Sequence, residues 1–182
     1  MTETAEMEKM TPTQQQFILH WGEMGTRWGI NRTVAQVHAL LYLSAEPVNA
    51  EVIAETLQVA RSNVSTSLKE LQGWGLVRLV HVMGDKRDHF ESIKDVWEMF
   101  RIIADERKRR EIDPTREMLR QCLEQPGKEL DPYTRERLEA LSEFFETTSN
   151  WYTQISRWPK SVVIRFVGLG DKAWKLLGLK GG

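Results

Sequence analysis

The chain of 182 residues holds a single cysteine, Cys122, so no intramolecular disulfide can form, which suits a reducing compartment. With no second cysteine to resolve an oxidised thiol, Cys122 reads as a small, half-buried hydrophobe. Long apolar runs are missing too, and none approaches the roughly 20 residues needed to cross a bilayer. Met1 to Met10 carries Glu3, Glu6 and Glu8, without the basic start and apolar stretch of a secretory signal. These absences set the expectation of a soluble, cytoplasmic protein. Neither sign of charge dominates: 25 Lys and Arg stand against 26 Asp and Glu, a formal net charge of -1. An anionic partner would have to be met by local basic patches.

Catalytic equipment is equally scarce. The four histidines, His20, His38, His81 and His89, lack the spacing of a helical zinc pair. His81 and His89 can approach across a hairpin, but two ligands do not make a zinc site. There is no phosphate-binding glycine loop and no nucleophile elbow. Gly168 and Gly170 lie in an apolar helical segment without the rest of a dinucleotide fingerprint. The expectation is no enzyme, no cofactor and no metal. Tryptophan, by contrast, is abundant, with seven residues. Aromatic rings can cage a quaternary ammonium group, yet Trp21 and Trp28 fall on a helical stripe that reads as core, and packing or a subunit interface is the simpler reading.

Periodicity organises the chain in two parts. Thr11-Pro12 reads as a helix start, followed by Phe17, Trp21, Met24 and Trp28 at helical spacing. A second helix spans about Arg32 to Ser44, with Val34, Val37 and Leu41 as its apolar stripe, and Glu46-Pro47 breaks it. A third, capped by Asn49, reaches Leu57, with Val52, Ile53 and Leu57 facing inward. After the turn Gln58-Val59-Ala60, a fourth helix runs from Arg61 to Gly73 and stops at Gly75. Leu76 to Met83 then reads as a strand, Gly84 to Asp88 as a turn, and His89 to Ile93 as the returning strand of a hairpin. From Asp95 a long helix with Val96, Phe100 and Ile103 on one face extends to about Leu123, kinked or split at Asp113-Pro114. Gln125-Pro126-Gly127 is a loop. Asp131-Pro132 opens a helix to Arg157 with Leu138, Leu141, Phe144 and Phe145 inside. Trp158-Pro159 is a joint before a last apolar segment from Ser161 to Leu179.

Two short helices, a tight turn and a hairpin are the order of a winged helix-turn-helix, whose second helix lies in the major groove. That helix needs an apolar inner face, here Val64, Leu68 and Leu71, and a short polar outer face. Arg61, Ser62, Ser65, Thr66 and Lys69 supply the latter, and Asn63 near the helix start suits a phosphate or an adenine. Ala54 lies ten residues before Val64, small enough to let the two helices cross closely. At the hairpin tip, Lys86 and Arg87 are spaced for a minor groove or flanking phosphates. The basic run Arg107-Lys108-Arg109-Arg110 is interleaved with Asp105, Glu106 and Glu111 and reads as a solvated helix face.

The stretch VARSNVSTSLKELQGWGLVRLVHVMGDKRDHFESIKDVWEMF resembles the MarR superfamily, and more closely its GbsR-like branch, named for a repressor of glycine betaine synthesis. The resemblance extends upstream through FILHWGEMGTRWGINRTVAQVHALLYLS. It implies a winged-helix fold, a homodimer built from terminal helices and a double-stranded-DNA-binding regulator without catalytic activity, a repressor rather than an activator. It places Arg61, Ser62, Asn63, Ser65, Thr66 and Lys69 on the recognition helix and Lys86 and Arg87 on the wing. It also suggests a link to osmolyte or choline/betaine metabolism and a small-molecule effector. Gln58 departs from the general pattern, which has glycine in that turn.

The fold expected is mainly α with a small β-hairpin: a winged helix-turn-helix domain over 11–93, its first helix shared with a helical dimerisation region over 94–182. The alternative is a helical module that binds a protein or membrane surface without DNA, suggested by the basic, apolar segment PKSVVIRFVGLGDKAWKLLGLKGG.

Overall fold

A computed structural model describes residues 10–124 and 130–176. The readings of the first residues as frayed, of the Gln125–Gly127 loop and of the segment past Leu176 lie outside the described residues. The chain divides into two compact units between Ile103 and Ala104.

Capping sets the helix starts of the first unit. The Thr11 hydroxyl accepts from the Gln14 amide at 3.2 Å, and the Gln14 side chain accepts from the Thr11 amide at 2.8 Å. This reciprocal box, with Pro12 at the first position, opens α1 (Pro12–Arg27). Asn31 caps α2 (Arg32–Leu43), its side chain accepting from Thr33 at 2.8 Å. α1 lies close over α2, since a Cβ built at Gly25 would sit 2.5 Å from the Ala35 Cβ. Seven of the twelve residues of α2 are buried, which makes it the central helix of the unit. Lys94, from far along the chain, donates to the carbonyls of Leu41, Tyr42 and Ser44 at 2.7, 2.9 and 2.6 Å. A cation thereby satisfies the last carbonyls of α2, where the helix dipole favours positive charge.

Val48–Asn49 form a two-residue strand, β1, before α3 (Ala50–Leu57). β1 pairs antiparallel with β3 (His89–Ser92), and β3 with β2 (Val77–Val80), in the order β1-β3-β2. Val48 stands opposite Phe90, and Leu79 opposite Phe90 on the other side. The expected hairpin is therefore the larger part of a three-stranded sheet. A two-residue strand is too short to show a period of two. Asn49 ends β1 and also caps α3, accepting from Val52 at 3.0 Å. α4 (Arg61–Trp74) ends at Gly75, which takes φ 82°, as the glycine predicts. The core gathers Val37, Leu41, Ile53, Val64, Leu68, Leu71 and Leu76, each almost fully buried.

α5 (Val96–Arg107) turns a different face inward from the one expected. Met99 is buried and Ile102 and Ile103 pack against the core, whereas Val96 and Phe100 are exposed. The second unit continues through one π-helical stretch, Lys108–Ile112, into α6 (Asp113–Glu124). The wide turn precedes Pro114, which has no amide hydrogen to donate and would crowd the carbonyl four residues back. The helix therefore runs on past the proline. The basic run is tied down as a solvated face, with Arg107 paired to Glu111 at 3.2 Å, Lys108 to Asp113 at 2.6 Å and Arg109 to Glu106 at 2.7 Å.

α7 (Pro132–Ser156) is capped by Asp131 and bridged to α6 by Arg116, which donates to Glu146 at 2.6 Å. Leu138 and Phe145 are half-buried, but Leu141 and Phe144 are exposed, contrary to expectation. α8 (Lys160–Leu176) follows the joint at Trp158-Pro159.

Gln58 is the only non-glycine residue with positive φ among those described, at φ 54° and ψ 44°. The left-handed conformation costs an L-residue about 1–2 kcal/mol, and glycine gives back about 0.5–1 kcal/mol through chain entropy. Gln58→Gly is therefore expected to stabilise the protein by about 0.5–1 kcal/mol in urea unfolding. A loss of stability instead would mean that the Gln58 side-chain bond to the Glu55 carbonyl, at 2.6 Å, outweighs the strain.

His38 gives a second expectation. Its Nε2 is buried without a hydrogen-bond partner, and burial, with a smaller contribution from Lys94, lowers its pKa to about 4. The unfolded chain binds this proton near pH 6.5 and the folded chain only near 4. The stability is thus fully present above about pH 6.5 and is lost as pH falls through 4, on the order of 3 kcal/mol in all. His38→Phe should flatten the slope of unfolding free energy over that window, and an unchanged slope would locate the titration elsewhere.

Candidate nucleic-acid interface

α3 and α4 are joined by Gln58-Val59-Ala60, and the left-handed Gln58 makes the sharp change of direction there. The amphipathic pattern of α4 fixes which side chains face out. Val64, Ser67, Leu68 and Leu71 are buried. Arg61, Ser62, Asn63, Ser65, Thr66 and Lys69 are all exposed. Ala60 provides no side-chain cap, so the first amides of α4 have no partner from a capping side chain and present the positive end of the helix dipole. The Thr66 hydroxyl donates back to the Ser62 carbonyl at 3.1 Å, leaving its oxygen as an acceptor.

The wing, between β2 and β3, is shaped by Gly84 at φ 85° and by Asp85. The Asp85 carboxylate accepts from the Arg87 amide and from its Nε, both at 2.9 Å. Hydrogen bonds from the Arg87 side chain, then from its backbone, hold the Asp85 carboxyl well below the usual carboxylate range, and the same side-chain bond raises Arg87. Buried His89 places Nδ1 3.0 Å from the Arg87 carbonyl, so the tautomer with its proton on Nδ1 donates there. Lys86 is exposed at the tip.

A crevice of about 320 Å³ lies between α4 and the wing. It brings together Arg61, Ser65, Lys69 and Arg87 from the predicted set, with Glu51 and Asp88 beside them. Ser62, Asn63, Thr66 and Lys86 are surface residues outside its lining. Sequence reasoning missed Glu51, whose Oε1 lies 2.6 Å from Arg61 Nη2. The signal was present: Glu51 precedes Arg61 by ten residues, the same offset as Ala54 and Val64. No group of three or more histidine, cysteine or carboxylate side chains suited to a metal ion occurs among the described residues.

Residues 28–88 match the model of the MarR family. The MarR match begins before α2 and runs through α3, α4 and β2 to the end of the wing, so it encloses every predicted contact residue. It covers about a third of the chain. A solved structure described as a transcriptional regulator is similar over 80% of this chain and 96% of its own, with a TM-score of 0.63 and 20% sequence identity. At that identity the likeness is one of fold, and it extends well beyond the MarR segment. No curated protein matches the chain.

Proposed function

We propose that this chain is a sequence-specific, double-stranded-DNA-binding transcription regulator of MarR type that acts as a homodimeric repressor. The observation that carries the reading is the exposure of Arg61, Ser62, Asn63, Ser65, Thr66 and Lys69 on α4, set beside the wing across a crevice that holds Arg61, Lys69 and Arg87. The MarR match over the same residues supports it. In this reading Arg61, Ser62, Asn63, Ser65, Thr66 and Lys69 face the major groove, and Lys86 and Arg87 meet a flanking minor groove or its phosphates. Residues 11–93 bind DNA and 94–182 pair two copies, with α1 shared. Two recognition helices would enter successive major grooves about 34 Å apart, so the operator is a rough inverted repeat.

Exposed apolar side chains support the pairing. In the second unit Leu141, Phe144, Trp151, Ile164, Phe166 and Val167 are each more than 40% exposed, more than a solvated single copy readily tolerates. No helix of the described residues is long and apolar enough to cross a membrane.

A small-molecule effector has a candidate cavity in the first unit. About 220 Å³ is lined by Phe17, Trp21, His38, Tyr42, Val96 and Met99. His38 and Tyr42 bring polar atoms to its lining, and Phe17 stacks on Trp21 with centroids 5.4 Å apart. Its aromatic lining and the resemblance to the GbsR-like branch together support an effector from choline or betaine metabolism.

DNA recovery from the protein's own genome at two salt concentrations tests the reading. Recovery of a few fragments sharing an inverted repeat is expected, weakening steeply with salt. Arg61→Ala should cost about 1–3 kcal/mol and relax preference at one base. Lys86→Ala should weaken all sequences alike and flatten the salt slope. Absence of any selective recovery, with or without choline or betaine, would overturn DNA regulation and favour a protein- or membrane-surface module, which vesicle sedimentation would then detect.

Light scattering on the purified chain tests the pairing. A dimer is expected, and Phe144→Glu with Trp151→Glu should shift it toward monomer while the helical circular dichroism of the first unit persists. A monomeric wild-type chain at micromolar concentration would reject the homodimer.

A further inference from the structure

We infer that Glu51 is a positioning residue for Arg61, holding its guanidinium across the crevice and away from phosphates, so that Arg61 contributes to base discrimination more than to sequence-independent affinity. This inference rests on the DNA-binding reading of α4 and the wing.

Glu51 stands in the first turn of α3, where the helix dipole favours a carboxylate, and is about one-third exposed. Its Oε1 holds Arg61 Nη2 at 2.6 Å. It is the acidic side chain of the crevice that makes this contact, and its charge also reaches Arg87 on the opposite side, raising that guanidinium. Asp88 is the other carboxylate lining the crevice, and Lys69 the remaining cation. Glu51 therefore lines the same crevice as both arginines and is ion-paired to the one on α4.

The geometry has two consequences. The ion pair engages Nη2 of Arg61, and a guanine O6/N7 pair needs two parallel N–H groups of the five that a guanidinium carries. A neutral base edge tolerates a carboxylate beside the guanidinium. A phosphate does not, because it must displace Glu51 or sit beside it as a like charge. The pair itself is exposed and weak, Arg61 being 70% exposed, so releasing it is easy. Its effect is on whether Arg61 accepts a base edge or a phosphate, not on the stability of the fold.

The test uses the full chain and two duplexes of about 30 base pairs, one carrying the inverted repeat recovered from the genome and one of scrambled sequence. Glu51→Gln should raise affinity for the scrambled duplex about three- to tenfold and steepen its salt slope by about 0.9, one added phosphate contact. Affinity for the repeat should change less than about twofold, so discrimination falls. In an Arg61→Ala background the same change should have no effect on either duplex, and Glu51→Asp should restore discrimination in part. Equal gains on both duplexes, an unchanged salt slope or a gain that persists without Arg61 would each overturn the role of Glu51. A wild-type chain that does not distinguish the two duplexes would instead overturn the DNA-regulator reading, with a thermal unfolding scan of each variant confirming that the fold is intact.

Discussion

Burial of one face of α4 against the helix beneath it governs the rest of the first unit. Val64, Leu68 and Leu71 join Val37 and Leu41 of α2 and Ile53 of α3 in one core cluster. Each fully buried aliphatic side chain of this kind contributes about 1.5–3 kcal/mol. Once those three residues point in, the 3.6-residue period leaves no choice about which point out. Arg61, Ser65 and Lys69 then flank that buried stripe on the side of the crevice, and Ser62 and Thr66 stand opposite it. In the proposed reading, the recognition surface is what the packing of Val64, Leu68 and Leu71 leaves outside.

Electrostatics refine that surface without creating a large field. The chain is nearly neutral, and the two arginines best placed for DNA are each already engaged by a carboxylate, Arg61 by Glu51 and Arg87 by Asp85. The pairs differ in kind. Asp85 is two residues from Arg87 and binds both its amide and its side chain, so it shapes the wing. Glu51 comes from another helix and touches only the side chain, so it orients rather than folds. Exposed pairs like these are worth about 0–1 kcal/mol, so they hold the fold together little. A neutral protein with pre-oriented arginines relies less on long-range attraction and more on fit.

Much of this was legible in residue patterns. Thr11-Pro12, Asn49 and Asp131 each mark a helix start that the structure caps through that side chain. Gly75 marks an end, and the inner and outer faces of α4 follow from its period. Three features were not legible, for separate reasons. β1 is two residues long and borrows its identity from β3, a non-local pairing. On α5 the apolar residues Val96, Met99, Phe100, Ile102 and Ile103 spread over nearly half the helix circumference, so periodicity alone does not choose Met99 over Phe100. On α7, Leu141 and Phe144 do form an apolar stripe, but a stripe states that something covers it and not what. The ten-residue offset of Glu51 from Arg61 was legible beside that of Ala54 from Val64, and the crossing of the two helices turns it into an ion pair.

The central position of α2 joins these observations. The same helix carries Val37 and Leu41 toward α4 and His38 and Tyr42 toward the aromatic cavity. His38 stays neutral there at the expense of an unpaired nitrogen, which an apolar residue would avoid. A buried polar atom left without a partner is tolerated where some state of the molecule satisfies it. In the proposed reading, an effector in the cavity would act on α2, the helix against which α4 packs. It would alter DNA affinity only by the difference in its own affinity for the arrangements of α2 and α4 that bind DNA and those that do not. Coupling by this route needs no contact between effector and DNA, and one turn of α2 is the distance it must cross.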